Sequence, residues 1–204
     1  MTNISIGILV YGSLYNKLCY KNNTIQDILI YNNNNKLYIN GPKLPIILGR
    51  KGKYDNITRT LEYGFPERSS IIYLVKPEIS LEKAYDKLAL REGCNHKYIG
   101  IYDIENKIIL YNYQLSNNNI INLLLYKFNN HNYTNKLKYI LFVYFPYNLD
   151  YNININNNLY INEYYFYLYL KKIKNKTIID NILIYLNKCD PNTLSLYDKL
   201  IKYN

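Results

Sequence analysis

The sequence predicts an α+β fold, with strands concentrated early and helices late. Three observations carry that expectation. The chain opens on a compact, β-branched apolar run from Ile4 to Val10. A single well-capped amphipathic helix spans Ser80 to Gly93. Amphipathic segments then gather near the C-terminus instead of alternating with strands, which argues against a doubly wound parallel sheet.

The elements follow in order. Ile4 to Val10 reads as a buried first strand that ends in the turn Tyr11-Gly12-Ser13. Asn32 to Asn35 is a low-complexity loop before a short strand at Lys36 to Asn40, which Gly41-Pro42 and Leu44-Pro45 interrupt. Gly49 to Asp55 reads as loop. Arg59 to Tyr63 and Ser70 to Val75 are expected to pair around Gly64-Phe65-Pro66. Ser80 is a good N-cap, Glu82 lies where the helix dipole favours an anion, and Gly93 suits the left-handed closing position. Lys97 to Asn112 reads as a hairpin turning at Glu105-Asn106, and Lys138 to Tyr144 as another buried strand. A motif-bearing core over about 4–145 is thus expected within one 1–204 domain. An Asn-rich insertion at about 148–162 precedes helices at Glu163 to Lys171, Thr177 to Lys188 and Leu194 to Lys202.

Hydrophobic residues make up 49% of the chain, enough for a sizeable core, yet Tyr supplies 27 residues against five Phe and no Trp. Asn, Ile, Lys and Tyr recur in loops and strands alike. Their codons are A/T-rich, so the composition points to an AT-rich viral or microbial genome. The same bias bears on the net charge of +10. A basic chain attracts polyanions, but Lys is scattered here and never forms a block. Arg, the better reader of phosphates and bases, occurs only at Arg50, Arg59, Arg68 and Arg91. A specific nucleic-acid partner is therefore not expected.

Cys19, Cys94 and Cys189 are widely spaced and odd in number, so they support neither a disulfide framework nor a zinc site. Cys94-Asn95-His96 places only two ligand types together. The start has no basic segment before its apolar run, and the longest apolar stretch, Tyr139 to Phe145, falls far short of the ~20 residues needed to span a bilayer. A cytoplasmic protein without a membrane partner is the expectation.

Two segments carry chemistry. On the Ser80–Gly93 helix, Leu81, Ala84, Tyr85, Leu88 and Ala89 form a core-facing stripe. At ~100° per residue, position 92 returns to within about 20° of position 81. Glu92 therefore extends the apolar stripe, while Arg91 falls to one side. A carboxylate there is costly unless paired, and both burial and the helix C-terminus favour its protonated form. Those conditions suit a general acid/base, and equally a structural ion pair with Arg59 or Arg68. The second segment is Tyr11-Gly12-Ser13-Leu14, a glycine turn after a strand. Its successive N–H groups and the Ser13 hydroxyl can hold a carboxylate, although most such turns are simply turns. His96 and His131 sit in loop-like surroundings and read as surface residues.

Ile8-Leu9-Val10-Tyr11-Gly12-Ser13-Leu14 resembles the first strand and substrate loop of γ-glutamylcyclotransferases. Leu88-Ala89-Leu90-Arg91-Glu92-Gly93 resembles the helix end that carries the family's catalytic glutamate, in the Arg-Glu-Gly form of the ChaC-like, glutathione-directed branch. Thr58-Arg59-Thr60-Leu61 is similar to that branch's Gly-Arg-x-x-Thr-Leu region but lacks the preceding Gly, and Tyr98 falls near a family Tyr after the Glu-Gly pair. The likeness runs from Ile4 to about Leu110.

The resemblance implies a small mixed β-barrel with flanking helices. It also implies a lyase that releases 5-oxoproline and Cys-Gly from glutathione, without metal or organic cofactor. Glu92 would be the catalytic acid/base; Tyr11, Gly12, Ser13, Leu14, Tyr98 and Arg59 would bind substrate. The alternatives are the same chemistry on other γ-glutamyl amino acids or amines, and a non-catalytic small-ligand or protein-binding module on the same fold.

Overall fold

The computed structural model describes residues 5–11, 25–33, 35–51, 57–61, 67–92, 94–111, 118–133 and 137–145. The chain divides into two compact units. One comprises Met1–Tyr11, Tyr20–Leu44 and Glu67–Phe145; the other comprises Gly12–Cys19, Pro45–Pro66 and Pro146–Asn204. The expected insertion at 148–162 and the helices expected over 163–204 lie outside the described residues.

The described strands are β1 (Ile6–Val10), β2 (Tyr31–Asn32), β3 (Asn35–Lys36), β4 (Tyr38–Asn40), β5 (Leu44–Lys51), β6 (Ile57–Leu61), β7 (Glu67–Arg68), β8 (Ile71–Leu74), β9 (Ile99–Asp103), β10 (Ile108–Tyr111) and β11 (Tyr139–Val143). Helix α1 (Leu81–Glu92) links β8 to β9, and α2 (Asn118–Asn129) links β10 to β11.

The first unit is built on a six-stranded sheet ordered β10-β9-β11-β1-β8-β4. β1 and β11 run parallel, with Gly7 opposite Ile140, and every other neighbouring pair in this sheet is antiparallel. The architecture is therefore mixed α+β, as the sequence leads one to expect. The expected small barrel is not formed by the described strands. Among the described strands β4 and β10 are the outermost, with Tyr38 55% exposed on one and Leu110 51% exposed on the other. Three-residue β4 is too short to carry the ladder farther round.

β1 is buried at all five positions and β8 at all four, the continuous apolar pattern of strands covered on both faces. That pattern corrects the expected pairing of Arg59 to Tyr63 with Ser70 to Val75. An apolar strand such as β8 needs neighbours on both sides, and it lies between β1 and β4. β6 instead pairs with β5 in the second unit, Leu48 opposite Arg59, with an irregularity between Leu48 and Arg50 where Gly49 falls. The segment from Gly49, expected as loop, thus continues β5 to Lys51. Pro45 stands just ahead of Ile46, the first residue paired with β6.

α2 buries Ile120, Leu124 and Phe128 completely, one residue per turn along a single face. Phe128 packs 4.8 Å from the Tyr102 ring and 5.6 Å from that of Phe142, which fixes this helix on the β9–β11 part of the sheet. Gly100 lies directly opposite Phe142 in the ladder, under its ring. The hairpin closes as expected around residues 104–107, with Lys107 in the left-handed region at φ 55°.

Candidate functional site

α1 forms as its sequence dictates. The Ser80 hydroxyl accepts from the Lys83 N–H at 3.2 Å, and Ala84, Leu88 and Ala89 are buried. At the other end the Cys94 N–H bonds to the Ala89 carbonyl, the 6→1 bond of a Schellman closure. Gly93 itself lies outside the described residues.

Glu92 ends this helix with a side chain 17% exposed, in line with the stripe. Its Oε1 lies 2.6 Å from Nη1 of Arg91, whose side chain is 5% exposed. The carboxylate is therefore paired with its immediate neighbour, a cation that the sequence reading does not name. Helix-wheel geometry separates residues 91 and 92 by ~100° at Cα, but the long arginine side chain swings its head back across that angle. Arg91 also sits in the last turn, where the helix dipole favours a cation.

The helix closure leads into β9 through Asn95, which accepts from the Lys97 N–H, and a short 3₁₀ turn over His96–Tyr98. Tyr85 stacks on His96 at 5.0 Å and donates to its carbonyl, which holds the turn against α1. Tyr98 is half-buried. Its ring lies 5.1 Å from that of Phe145, and its carbonyl accepts from the Tyr144 N–H at 2.9 Å. Tyr98 thus stands beside the carboxyl end of β11.

Tyr11 reaches the same place from β1. It is 9% exposed, and its hydroxyl donates to the Val143 carbonyl, tying the carboxyl ends of the two parallel strands together. The start of β9 and the ends of β1 and β11 thus meet at one end of the sheet, and the 3₁₀ turn that α1 packs against leads into it. Carboxyl ends of parallel strands are where open α/β sheets hold ligands. Of the other residues singled out from sequence, Gly12, Ser13 and Leu14 lie outside the described residues. Arg59 is on β6 in the second unit, and its side chain is likewise outside the description.

His96 is exposed, as expected, and its Nε2 lies 2.9 Å from Asp86 Oδ1. His131 is partly exposed, and its Nε2–H donates to the Asn40 carbonyl at 2.9 Å. The acceptor-only carbonyl assigns that tautomer. Among the described residues no three His, Cys, Asp or Glu side chains are grouped to hold a metal, and no helix is long and apolar enough to cross a membrane.

No protein family, no curated protein and no solved structure matches the chain.

Proposed function

We propose that the chain is a γ-glutamylcyclotransferase that releases 5-oxoproline from glutathione and leaves Cys-Gly. The observation that carries this reading is Glu92, a carboxylate largely withdrawn from solvent at the end of α1; Tyr11 and Tyr98 both meet the end of β11. The finer fold of this reading is γ-glutamylcyclotransferase-like.

The chemistry asks little of the protein beyond positioning, because nucleophile and electrophile belong to one molecule. The substrate α-ammonium gives a proton to the Glu92 carboxylate, and the freed amine attacks the γ-carbonyl carbon. The new C–N bond closes a five-membered ring. The tetrahedral centre then expels the cysteinyl nitrogen, which takes the proton from Glu92. The ring nitrogen gives its second proton to the freed carboxylate, which hands it to the departed amine, leaving the neutral lactam and the Cys-Gly ammonium. The resemblance further implies that the backbone N–H groups of Gly12, Ser13 and Leu14 take the substrate carboxylate and that Tyr11, Tyr98 and Arg59 bind substrate. Other γ-glutamyl amides would undergo the same steps.

A second reading is favoured by the Arg91–Glu92 pair, which provides a structural reason for a carboxylate on the apolar stripe. On that reading the fold binds a small ligand without turnover. One assay separates the two. Incubation with glutathione, γ-glutamyl-alanine and γ-glutamyl-lysine should release 5-oxoproline from at least one, and Glu92→Gln should abolish release while the circular dichroism spectrum is unchanged. No turnover on any of the three would leave the binding reading standing.

A further inference from the structure

Two other ion pairs involve α1, and both lie at the surface. Lys87 meets Asp27 at 3.0 Å and His96 meets Asp86 at 2.9 Å, and in each the carboxylate is well exposed. Exposed pairs of this kind contribute little. Arg91 and Glu92 differ from them. Both are largely buried, and the arginine is the more buried of the two. A long cationic side chain usually carries its head out to water. Here the guanidinium is withdrawn, and the carboxylate keeps the residual contact with solvent. The arrangement is that of a cation backing a carboxylate.

The backbone beneath the pair is fixed. The Cys94 N–H bonds to the Ala89 carbonyl at 3.1 Å and closes the last turn, while Leu88 and Ala89 anchor that turn in the core. With both Cα atoms held, the bond from Arg91 Nη1 to Glu92 Oε1 at 2.6 Å fixes where the carboxylate points. Such charge-assisted bonds are roughly twice as strong as neutral ones. Arginine also keeps its charge throughout the working pH range, so the bond is not lost by titration of the cation.

The charge state of Glu92 is contested by its surroundings. Burial and the helix C-terminus favour the neutral acid, and an adjacent guanidinium favours the carboxylate. Only the carboxylate can take a proton from a substrate ammonium. The same guanidinium loosens the hold of Glu92 on the proton it has taken, which helps the proton onward to the leaving nitrogen.

We propose that Arg91 is a positioning residue for this reaction: through its bond to Oε1 it holds the Glu92 carboxylate in one orientation and ready to accept a proton. The proposal rests on the cyclotransferase reading. Arg91 itself gives up no proton and touches no reacting atom. The proton leaves the substrate α-ammonium, resides on Glu92 and departs with the Cys-Gly amine.

The test is steady-state kinetics of 5-oxoproline release from glutathione by the full chain, with kcat normalised to the folded fraction measured by circular dichroism. Arg91→Gln keeps a hydrogen-bond donor without the charge, and Arg91→Lys keeps the charge without the planar fork. Arg91→Gln should lower kcat on the order of 10–100-fold, and Arg91→Lys should lower it by a smaller factor. KM should stay within about twofold of wild type in both. A pair that serves stability alone would shift the unfolding midpoint and leave kcat per folded molecule unchanged.

Wild-type kcat in the folded Arg91→Gln protein overturns the proposal. So does a lysine variant no more active than the glutamine one, or a rise in KM in place of the fall in kcat. If Arg91→Gln does not fold, Arg91→Lys decides alone, and an unchanged kcat there overturns the proposal. Release absent from the wild type, or undiminished by Glu92→Gln, overturns the cyclotransferase reading and this role with it. Full release by wild type and Arg91→Gln alike, with none from Glu92→Gln, overturns only the role of Arg91.

Discussion

Arg91 and Glu92 turn two adjacent side chains, ~100° apart on the helix, into one ion pair with Nη1 and Oε1 2.6 Å apart. Both are largely buried, so removing one charge takes from the other its bonded neighbour where water screens little. Arg91→Met should cost about 2–3 kcal/mol in urea unfolding, somewhat below the range for fully buried pairs because Glu92 keeps some solvent contact. Adding Glu92→Gln to Arg91→Met should recover most of that loss. If the two single costs simply add, the side chains are not coupled and the pair is incidental.

Tyr11 offers an independent measure of the carboxyl ends of β1 and β11. Its hydroxyl bonds to the Val143 carbonyl. Tyr11→Phe keeps the buried ring and leaves that carbonyl without this donor. A loss of about 1–2 kcal/mol is expected, with the ring's contribution to any pocket retained. Under the cyclotransferase reading, 5-oxoproline release should persist in this variant below its lowered melting temperature. Loss of release in the folded protein would instead assign the hydroxyl a direct part in catalysis.

Gly100 has no room for a side chain. A Cβ there would stand 2.2 Å from Cζ of Phe142, a fully buried ring that also packs on Phe128. Gly100→Ala should therefore destabilise by roughly 1–3 kcal/mol or more through overpacking. Gly100→Ala combined with Phe142→Leu should recover part of it, because the smaller side chain frees the space. No recovery in the double variant would place the cost in the backbone.

What sequence could reveal depended on how local each cause is. β1, α1, the β9–β10 hairpin and β11 were legible, because apolar runs, the Ser80 cap and the stripe through Leu88 are all short-range signals. α2 was missed. Its stripe of Ile120, Leu124 and Phe128 sits among asparagines in a chain where Asn is everywhere, so polar composition hid the period. The parallel pairing of β1 with β11 joins residues more than a hundred positions apart, and no local pattern encodes it. At the site, Glu92 was placed by helix geometry alone. Its partner was not, since side-chain reach is invisible to a helix wheel.

Asp103 makes the acid side of the stability profile predictable. It ends β9 and accepts from both the Asn106 main-chain N–H, at 3.0 Å, and the Asn106 side-chain amide, at 2.9 Å. The main-chain bond, then the side-chain bond, lowers its pKa below the ordinary 3.8, outweighing the opposing effect of burial. A group with a depressed folded-state pKa contributes stability above its unfolded pKa, and that contribution fades as pH falls through the folded value. Wild-type stability should thus decline below about pH 4, and part of that decline belongs to this turn. Asp103→Asn should lower stability at pH 7 yet narrow its gap from wild type as the pH is brought toward 2. A gap that stays constant across that range would mean that the Asp103 charge does not hold the turn.

Lys107 closes the same turn, and its backbone makes the opposite prediction about stability. A φ of 55° is a left-handed conformation, which costs a side-chain-bearing residue roughly 1–2 kcal/mol and glycine almost nothing. The greater freedom of glycine in the unfolded chain offsets part of that gain. Lys107→Gly should therefore raise stability by a net of roughly 0.5–1 kcal/mol, an increase readable as a higher urea midpoint with an unchanged slope. Lys107→Ala removes the same charge but keeps a Cβ, so it should show no such gain. If alanine stabilises as much as glycine, the effect comes from the lost ammonium and not from the backbone.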